Sequence, residues 1–448
     1  MKNRLVYGLL VTVLGLNLYF GARVYFGSAL AADKDDGYPN LALFARVLEM
    51  VRKDYVDGEK LTYQELIHGA LKGMLNTLDP HSEFMDVQKF EELRKDTEGE
   101  FGGVGIVISL RDGFLTVVAP IDGTPGARAG ILSGDRIVKI DGRSTEKLTL
   151  QDAVKKLRGE PGSGVTLGVL RTGEAQTRDF QLTRDVIKVD TVKDINGKRE
   201  FSLVQDKVGY IRVTQFGEKT ADELVRALKE LKKNGMNSLI LDLRDNPGGL
   251  LDQAVKVCEK FLPRDKPIVS TEGRVSSQKT EHRATGRDQI PDLPMVLLVN
   301  GGSASASEIV AGCLQDLKRA IVLGEQTFGK GSVQSILPLQ DGSALRLTTA
   351  KYYTPSHKMI HEKGITPDII VPMTQEDERD LFIKRTPGGL DAIDSTERER
   401  IQAVRDIQLD RALDLLKGIQ LYSQRSKPAG KAVASKVGME ARLQEARP

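Results

Sequence analysis

Apolar positions recur in three ways along the chain, and each way marks a different kind of segment. Near the start, Leu43, Phe44, Val47, Leu48 and Val51 recur at helical spacing. Leu66, Ile67, Ala70, Leu71, Met74 and Leu75 do so again, so helices are predicted over residues 41–51 and 62–78. Asp79-Pro80 ends the second, because the residue before a proline is pushed out of the α region. From 101 to 183 the pattern shortens. Strands are predicted over 104–108, 115–119, 134–142 and 165–171, with a short helix at 124–130 and an amphipathic one at 148–157. Asp141-Gly142 reads as a tight turn. Farther on, apolar runs at 208–213, 238–243, 268–271, 295–299 and 320–324 read as strands. Helical patterns at 221–233 and 250–261 separate them, which argues a layered α/β core. Residues 274–287 are polar and read as an excursion. Residues 343–353 alternate like a half-buried strand, and 396–422 form one long amphipathic helix. The Ala-, Lys- and Gly-rich end from Ser426 reads as frayed.

Composition narrows the class. The chain has 448 residues, enough for two or three domains, and a net charge of +3, which gives no reason to expect a nucleic-acid partner. Its 44 glycines and absent tryptophan suit a loop-rich α/β protein. Cys258 and Cys313 are the only cysteines, so neither a disulfide framework nor a zinc motif is present. Lys2 and Arg4 precede an apolar run over 5–20, and Ala29-Leu30-Ala31 follows. A basic start, an apolar stretch and a small-residue site describe an export signal. Residues 1–31 are therefore expected to be a signal peptide or an uncleaved membrane anchor, with the bulk of the chain in the periplasm or cell envelope.

The chemistry candidates gather around Gly301-Gly302-Ser303-Ala304-Ser305-Ala306-Ser307-Glu308, between an apolar run and a helical pattern. Free N–H groups at a helix start stabilise negative charge, so a serine hydroxyl here would stand beside an oxyanion site. Serine is also a favoured N-cap, and the octapeptide alone leaves both readings open. Lys330 lies in a second glycine-flanked turn. A lysine becomes a general base when burial lowers its pKa, and Phe328, Val333 and the two glycines are expected to give it a poorly hydrated setting. It could then take the proton of Ser305, the Ser-Lys variant of nucleophilic catalysis, with Gln334 fixing the amine. No histidine completes a triad: His81 reads as structural beside Asp79, and His357 and His361 as surface loop residues. The stretch from Gly324 to Lys330 matches the first seven positions of a P-loop, but Gly331 replaces the Ser or Thr that would hold magnesium. Neither a cofactor nor a metal is expected.

Two resemblances extend this reading. The element order over 98–184, with Gly134-Asp135, Ile137, Ile140 and Asp141-Gly142, resembles a PDZ domain. That implies a peptide added as a strand along the module, its terminal carboxylate held by backbone N–H groups of Gly102, Gly103, Val104, Gly105 and Ile106. The ordered motifs Leu78-Asp79-Pro80-His81-Ser82, Phe101-Gly102-Gly103-Val104-Gly105, Asp242-Leu243-Arg244-Asp245-Asn246-Pro247-Gly248-Gly249, Gly302 to Glu308, Gly329 to Gln334 and Lys363-Gly364-Ile365-Thr366-Pro367-Asp368 together resemble the C-terminal processing peptidases, or tail-specific proteases. His361 departs from the Gln-like residue expected there.

The resemblance implies a mixed α/β fold: a crotonase-like layered Ser-Lys protease core (185–375) with an inserted PDZ domain, flanked by N-terminal (41–97) and C-terminal (376–448) helical regions. It implies Ser305 as nucleophile, Lys330 as base, Gln334 as the orienting residue, and an oxyanion hole from Ala306 and the Gly248-Gly249 turn. Substrates would be proteins or peptides with free C-termini, bound and cleaved by an exported serine endopeptidase through an acyl-enzyme. Arg158, ending the module's helix, is the candidate link to the core, and the C-terminal helix suits a homodimer. A silent PDZ scaffold on a dead core is the alternative, but such a core would be expected to lose Ser305, Lys330 or Gln334. An acyl-CoA enzyme of crotonase type would leave the PDZ module and export signal unexplained.

Overall fold

The computed structural model describes residues 37–425 except 99, 112, 122, 172, 173, 175, 189, 291, 387, 388, 391, 392 and 394. The expected signal or anchor and the tail from Ser426 lie outside the described residues. The chain divides into two units, Met1–Leu78 and Asp79–Pro448. In the first, helices Gly37–Asp54 and Tyr63–Asn76 form where the periodicity predicts them. Thr62 starts the second with a capping box: its Oγ1 accepts from the Glu65 N–H at 3.1 Å, and its own N–H donates to Glu65 Oε2 at 2.9 Å. No residue of the first helix is buried.

The second unit is built on a six-stranded sheet in the order Val192–Lys193, Val208–Val213, Ser238–Asp242, Met295–Val299, Ile321–Gly324, Ile369–Ile370. All pairings are parallel except the first. Both faces are covered, which is why its inner strands read as unbroken apolar runs. Side chains alternate across the sheet: Leu239, Leu241, Leu297 and Val299 pack under helices Thr220–Lys233, Leu251–Glu259 and Ala306–Asp316. Ile240, Val296 and Leu298 pack on the opposite face against Leu409, Ala412 and Leu416 of helix Ile407–Arg425. An antiparallel sheet stands beside this core, centred on Ala344–Tyr353, which pairs with Glu83–Met85, Pro267–Gly273 and Ser332–Pro338.

Inserted between Val87–Glu98 and the core is a module with its own apolar cluster, including Val117, Ile137, Ile140, Leu157 and Leu167. Its strand order is Ile106–Arg111, Phe114–Pro120, Arg136–Ile140, Gly164–Leu170, Arg178–Thr183. Asp135 is buried and accepts a bidentate pair from Arg171, both contacts at 2.8 Å. Asp141 and Gly142 have φ of 48° and 75°, as an Asp-Gly hairpin turn requires.

Three expectations need correction. The strand at 165–171 is not the module's last, because Arg178–Thr183 pairs with it. The polar stretch 274–287 contains strand Thr280–Arg283, which closes a hairpin on Pro267–Gly273. The long helix at 396–422 is two helices, Ser395–Ala403 and Ile407–Arg425. The break is electrostatic in origin. Asp406 accepts from the Leu409 N–H at 3.0 Å, as a helix-starting residue does, while its carboxylate takes the Arg244 guanidinium at 2.9 and 3.0 Å. Arg244 also holds the fully buried Asp242 at 2.6 Å, and Gln408 at 3.0 Å. Burial raises the Asp242 pKa, but the Arg244 charge outweighs it and keeps the carboxyl well below the usual range. Removing one member of such a buried set costs about 3–5 kcal/mol.

Candidate active site

The candidate nucleophile stands where strand Met295–Val299 turns into helix Ala306–Asp316. Three serines crowd this turn and are held differently. Ser303 is fully buried and donates to the Leu243 carbonyl at 2.8 Å. Ser307 is fully buried and donates to the Asn246 carbonyl at 2.8 Å. Ser305 is half-buried, with φ 54° and ψ −111°. An ordinary N-cap has β-region dihedrals, and Ser305 does not. A side-chain-bearing residue reaches this conformation at a cost of about 1–3 kcal/mol, so the surroundings must impose it. The flanking serine bonds do so, with the Ala304 N–H donating to the Asn246 carbonyl at 3.0 Å. The result is a sharp strand-to-helix elbow with the middle serine at its tip.

The 244–249 turn runs alongside. A Cβ on Gly248 would lie 2.8 Å from Ser305 Cβ and 2.9 Å from the Ala306 nitrogen, so only glycine lets the two turns touch. The two glycines are not equivalent. The Gly248 N–H donates to Asn246 Oδ1 at 2.9 Å, whereas the N–H groups of Gly249 and Ala306 have no partner among the described residues.

Lys330 lies in the connection from Ile321–Gly324 to Ser332–Pro338. A Cβ on Gly331 would meet the His361 nitrogen at 2.2 Å, and the Gly329 carbonyl accepts from the Glu362 N–H at 2.8 Å. The lysine side chain is half-buried. Desolvation, then the nearby Arg346 charge, lowers its pKa below the ordinary 10.5. His81 is also lowered, by burial first and then by the Lys330 charge, so it stands within electrostatic reach of the amine. The register against Ala344–Tyr353 slips between Val333 and Gln334. Such a bulge re-aims the side chain that follows it. Gln334 Nε2 donates to Ser332 Oγ at 3.1 Å and to Thr348 Oγ1 at 2.9 Å, while Oε1 is buried without a partner.

One fully buried carboxylate joins the two turns. Glu308 Oε2 accepts from the Ser305 N–H at 2.8 Å and the Lys330 N–H at 2.9 Å. Its Oε1 accepts from the Gly329 N–H at 2.7 Å and the Thr327 hydroxyl at 2.5 Å. Each oxygen therefore takes two donors, and the serine and lysine backbones are held through a single group.

In the inserted module, Ile106–Arg111 is an edge strand, paired among the described residues only with Phe114–Pro120 and contacted by helix Leu150–Leu157. A Cβ on Gly102 would lie 2.0 Å from the Gly159 oxygen, whereas the nearest neighbour of one on Gly103 is the Phe101 ring at 3.4 Å. Of these two, close packing demands glycine at 102, and it does so again at 105, where φ is 70° and a Cβ would lie 2.2 Å from the Thr124 side chain. The Arg158 guanidinium lies over the Phe101 ring, 4.3 Å from its centroid.

Similarity to known protein families falls in three separate stretches of the chain. Residues 207–371 match Peptidase family S41, 116–171 match the PDZ domain, and 27–89 match the N-terminal domain of the activating protease CtpB. A carboxy-terminal-processing protease of Bartonella bacilliformis is 44% identical over 366 residues, spanning 79% of this chain and 82% of that one. The chain belongs to the carboxyl-terminal-processing proteases of family S41. A Synechocystis member is 36% identical over 427 residues, spanning 90% of this chain and 93% of its own. Bacillus subtilis CtpB is 34% identical over 376 residues, spanning 81% of this chain and 77% of its own. Among solved structures, the photosystem II D1 C-terminal processing protease is 30% identical and covers 78% of this chain and 98% of its own, with a TM-score of 0.44.

In this S41 peptidase, one expectation about the lysine's surroundings fails and one is qualified. Phe328 does not shield it: the side chain is 66% exposed, and the backbone N–H is bound to the Ser303 carbonyl at 3.0 Å. His361 is only partly a surface residue: its side chain is 24% exposed, but its turn folds onto Gly331 and Nδ1 is buried without a partner among the described residues. His357 is exposed as expected. Sequence reasoning also missed Glu308, whose signal was the Ser-x-x-Glu spacing of a capping box. It missed Ser82 and Thr348 too, which have no local signal.

Proposed function

We propose that this peptidase is an exported serine endopeptidase that takes substrate proteins by their free C-termini and cleaves them through Ser305 and Lys330. One observation carries the reading: Ser305 is strained into an elbow beside two uncommitted N–H groups, and Glu308 ties it to the loop of a lysine whose ammonium form burial disfavours. Ser305 Oγ attacks the scissile carbonyl as its proton passes to Lys330 Nζ. The N–H groups of Ala306 and Gly249 stabilise the oxyanion. The Lys330 ammonium then protonates the departing amine, leaving an acyl-enzyme on Ser305. Water, deprotonated by the neutral lysine, releases the new C-terminus and regenerates the serine. Gln334 orients the amine.

The PDZ edge strand supplies the capture step, since an extended peptide can add to Ile106–Arg111 with its carboxylate at the glycine loop. Lys2, Arg4, the apolar stretch and Ala29-Leu30-Ala31 support export to the periplasm or cell envelope.

The test compares one unfolded protein with free and amidated C-termini, with fragments identified by mass spectrometry. Faster cleavage of the free form at sub-saturating concentration supports the reading, and equal rates would remove C-terminal recognition from it. A wild-type protein that binds the peptide but never cleaves it would be a PDZ scaffold.

A further inference from the structure

The motif Asp79-Pro80-His81-Ser82 precedes the PDZ module in sequence and has no part in the mechanism above. Strand Glu83–Met85 carries it onto the antiparallel sheet, where Ala344–Tyr353 lies between it and Ser332–Pro338. The 79–82 turn therefore arrives beside Thr348, whose cross-strand partner on the other side is Gln334.

The bonds through this region run in one direction. Asp79 Oδ1 accepts from the N–H groups of His81 and Ser82, both at 2.8 Å, and Oδ2 accepts from the Ser82 hydroxyl at 2.7 Å. Burial opposes ionisation of Asp79, but these bonds, with a weaker one from Thr348, outweigh it and hold the carboxyl below its ordinary range. An ionised carboxylate only accepts, so the single Ser82 proton points to it. Ser82 Oγ then offers lone pairs, accepts from the Thr348 N–H at 3.1 Å, and lies 3.4 Å from Thr348 Oγ1. With the Ser82 proton committed to Asp79, the 3.4 Å hydroxyl contact can be made only with the Thr348 proton turned toward the Asp79–Ser82 pair, and the Thr348 oxygen accepts from Gln334 Nε2 at 2.9 Å. The amide must then present its N–H groups to Thr348 and its Oε1 the opposite way, into a buried place without a partner.

We infer that Asp79, Ser82 and Thr348 form a directional hydrogen-bond relay that fixes the Gln334 amide so that Oε1, which has no partner among the described residues, stays available as an acceptor for the Lys330 amine. They are positioning residues. The inference rests on the Ser305–Lys330 reading above and adds why Gln334 cannot flip. An acceptor on one amine N–H turns the nitrogen lone pair toward the serine, which a flipped amide would not do.

The test is Thr348→Val, which removes the hydroxyl at nearly constant volume, with Thr348→Ser as the conservative control. Ser82→Ala serves as an independent break if Thr348→Val folds poorly. Expected in Thr348→Val and Ser82→Ala are a kcat loss of about 10–100-fold, the range associated with a single oriented hydrogen bond to a charged group, an unchanged KM, and substantial recovery in Thr348→Ser. The acid limb of the kcat profile moves to lower pH in both breaks, because losing an acceptor destabilises the ammonium more than the amine. His81, Arg346, His361 and Glu308 also surround the lysine loop and are retained in every variant.

A Gln334→Ala background completes the cycle: there, Thr348→Val should cost nothing further. Wild-type kcat and acid limb in the folded variants, or an equal loss with and without Gln334, would overturn the relay. Those outcomes, with Ser305→Ala still inactive, leave the Ser-Lys reading standing. Full activity in Ser305→Ala would instead overturn that reading itself.

Discussion

The Ser305 turn takes most of its hydrogen bonds from residues 243–246 and 300, at the ends of neighbouring parallel strands, and is supported besides by Glu308 on the helix it opens and by the Phe328 N–H, which donates to the Ser303 carbonyl. The Lys330 arm is assembled from residues 79–82, 308, 346–348 and 360–365, segments spread across the chain. The first turn is stiff because its strain is imposed by a buried sheet. The second depends on a loop, a bulge and a turn that precedes the PDZ module. A perturbation of module or strand pairing would therefore reach the base before it reached the nucleophile.

The largest expected effect comes from the stiff side. Ser305→Ala should lower cleavage by about 10⁴–10⁶-fold and leave the thermal midpoint near that of the wild type, since the elbow is held by its neighbours. Lys330→Arg should be nearly as damaging, because arginine cannot accept the proton. Fragment analysis by mass spectrometry reads both, and persistent cleavage by Ser305→Ala would remove it as nucleophile.

Glu308→Gln strikes both halves together. One acceptor oxygen becomes a donor facing other donors, so kcat should fall by about 10–100-fold and the thermal midpoint should drop as well. An active, equally stable variant would show that the turns hold their positions without it.

Arg346→Gln sharpens the electrostatic side of the comparison. Burial lowers the Lys330 pKa first and the Arg346 cation lowers it further. Removing that cation lets the pKa rise, so the neutral amine appears only at higher pH. The acid limb of kcat should therefore move upward, and a limb that moved downward would contradict the assignment of Lys330 as base.

The smallest effect is expected from Phe328→Ala. Its side chain is exposed, so the acid limb should stay where it is. An upward shift would restore it as a shield of the lysine.

Local pattern in the sequence was enough for the four inner strands of the core sheet, for most of the inserted module's elements and for the two glycine-flanked turns. Each of these depends on periodicity, on glycine at close approaches, or on small residues at a strand-to-helix junction, and such signals lie within a few neighbouring positions. The resemblance had already singled out Ser305; tertiary structure alone showed how its two neighbours differ from it, because the Ser303 and Ser307 hydroxyls reach the carbonyls of Leu243 and Asn246. It also divided Gly248 from Gly249, broke the last predicted helix at Asp406 so that Arg244 could be held, and set Ser82 beside Thr348. Those outcomes depend on contacts between residues far apart in the chain, and a hydroxyl or carboxylate carries no local mark of a partner that folding brings to it from so far away.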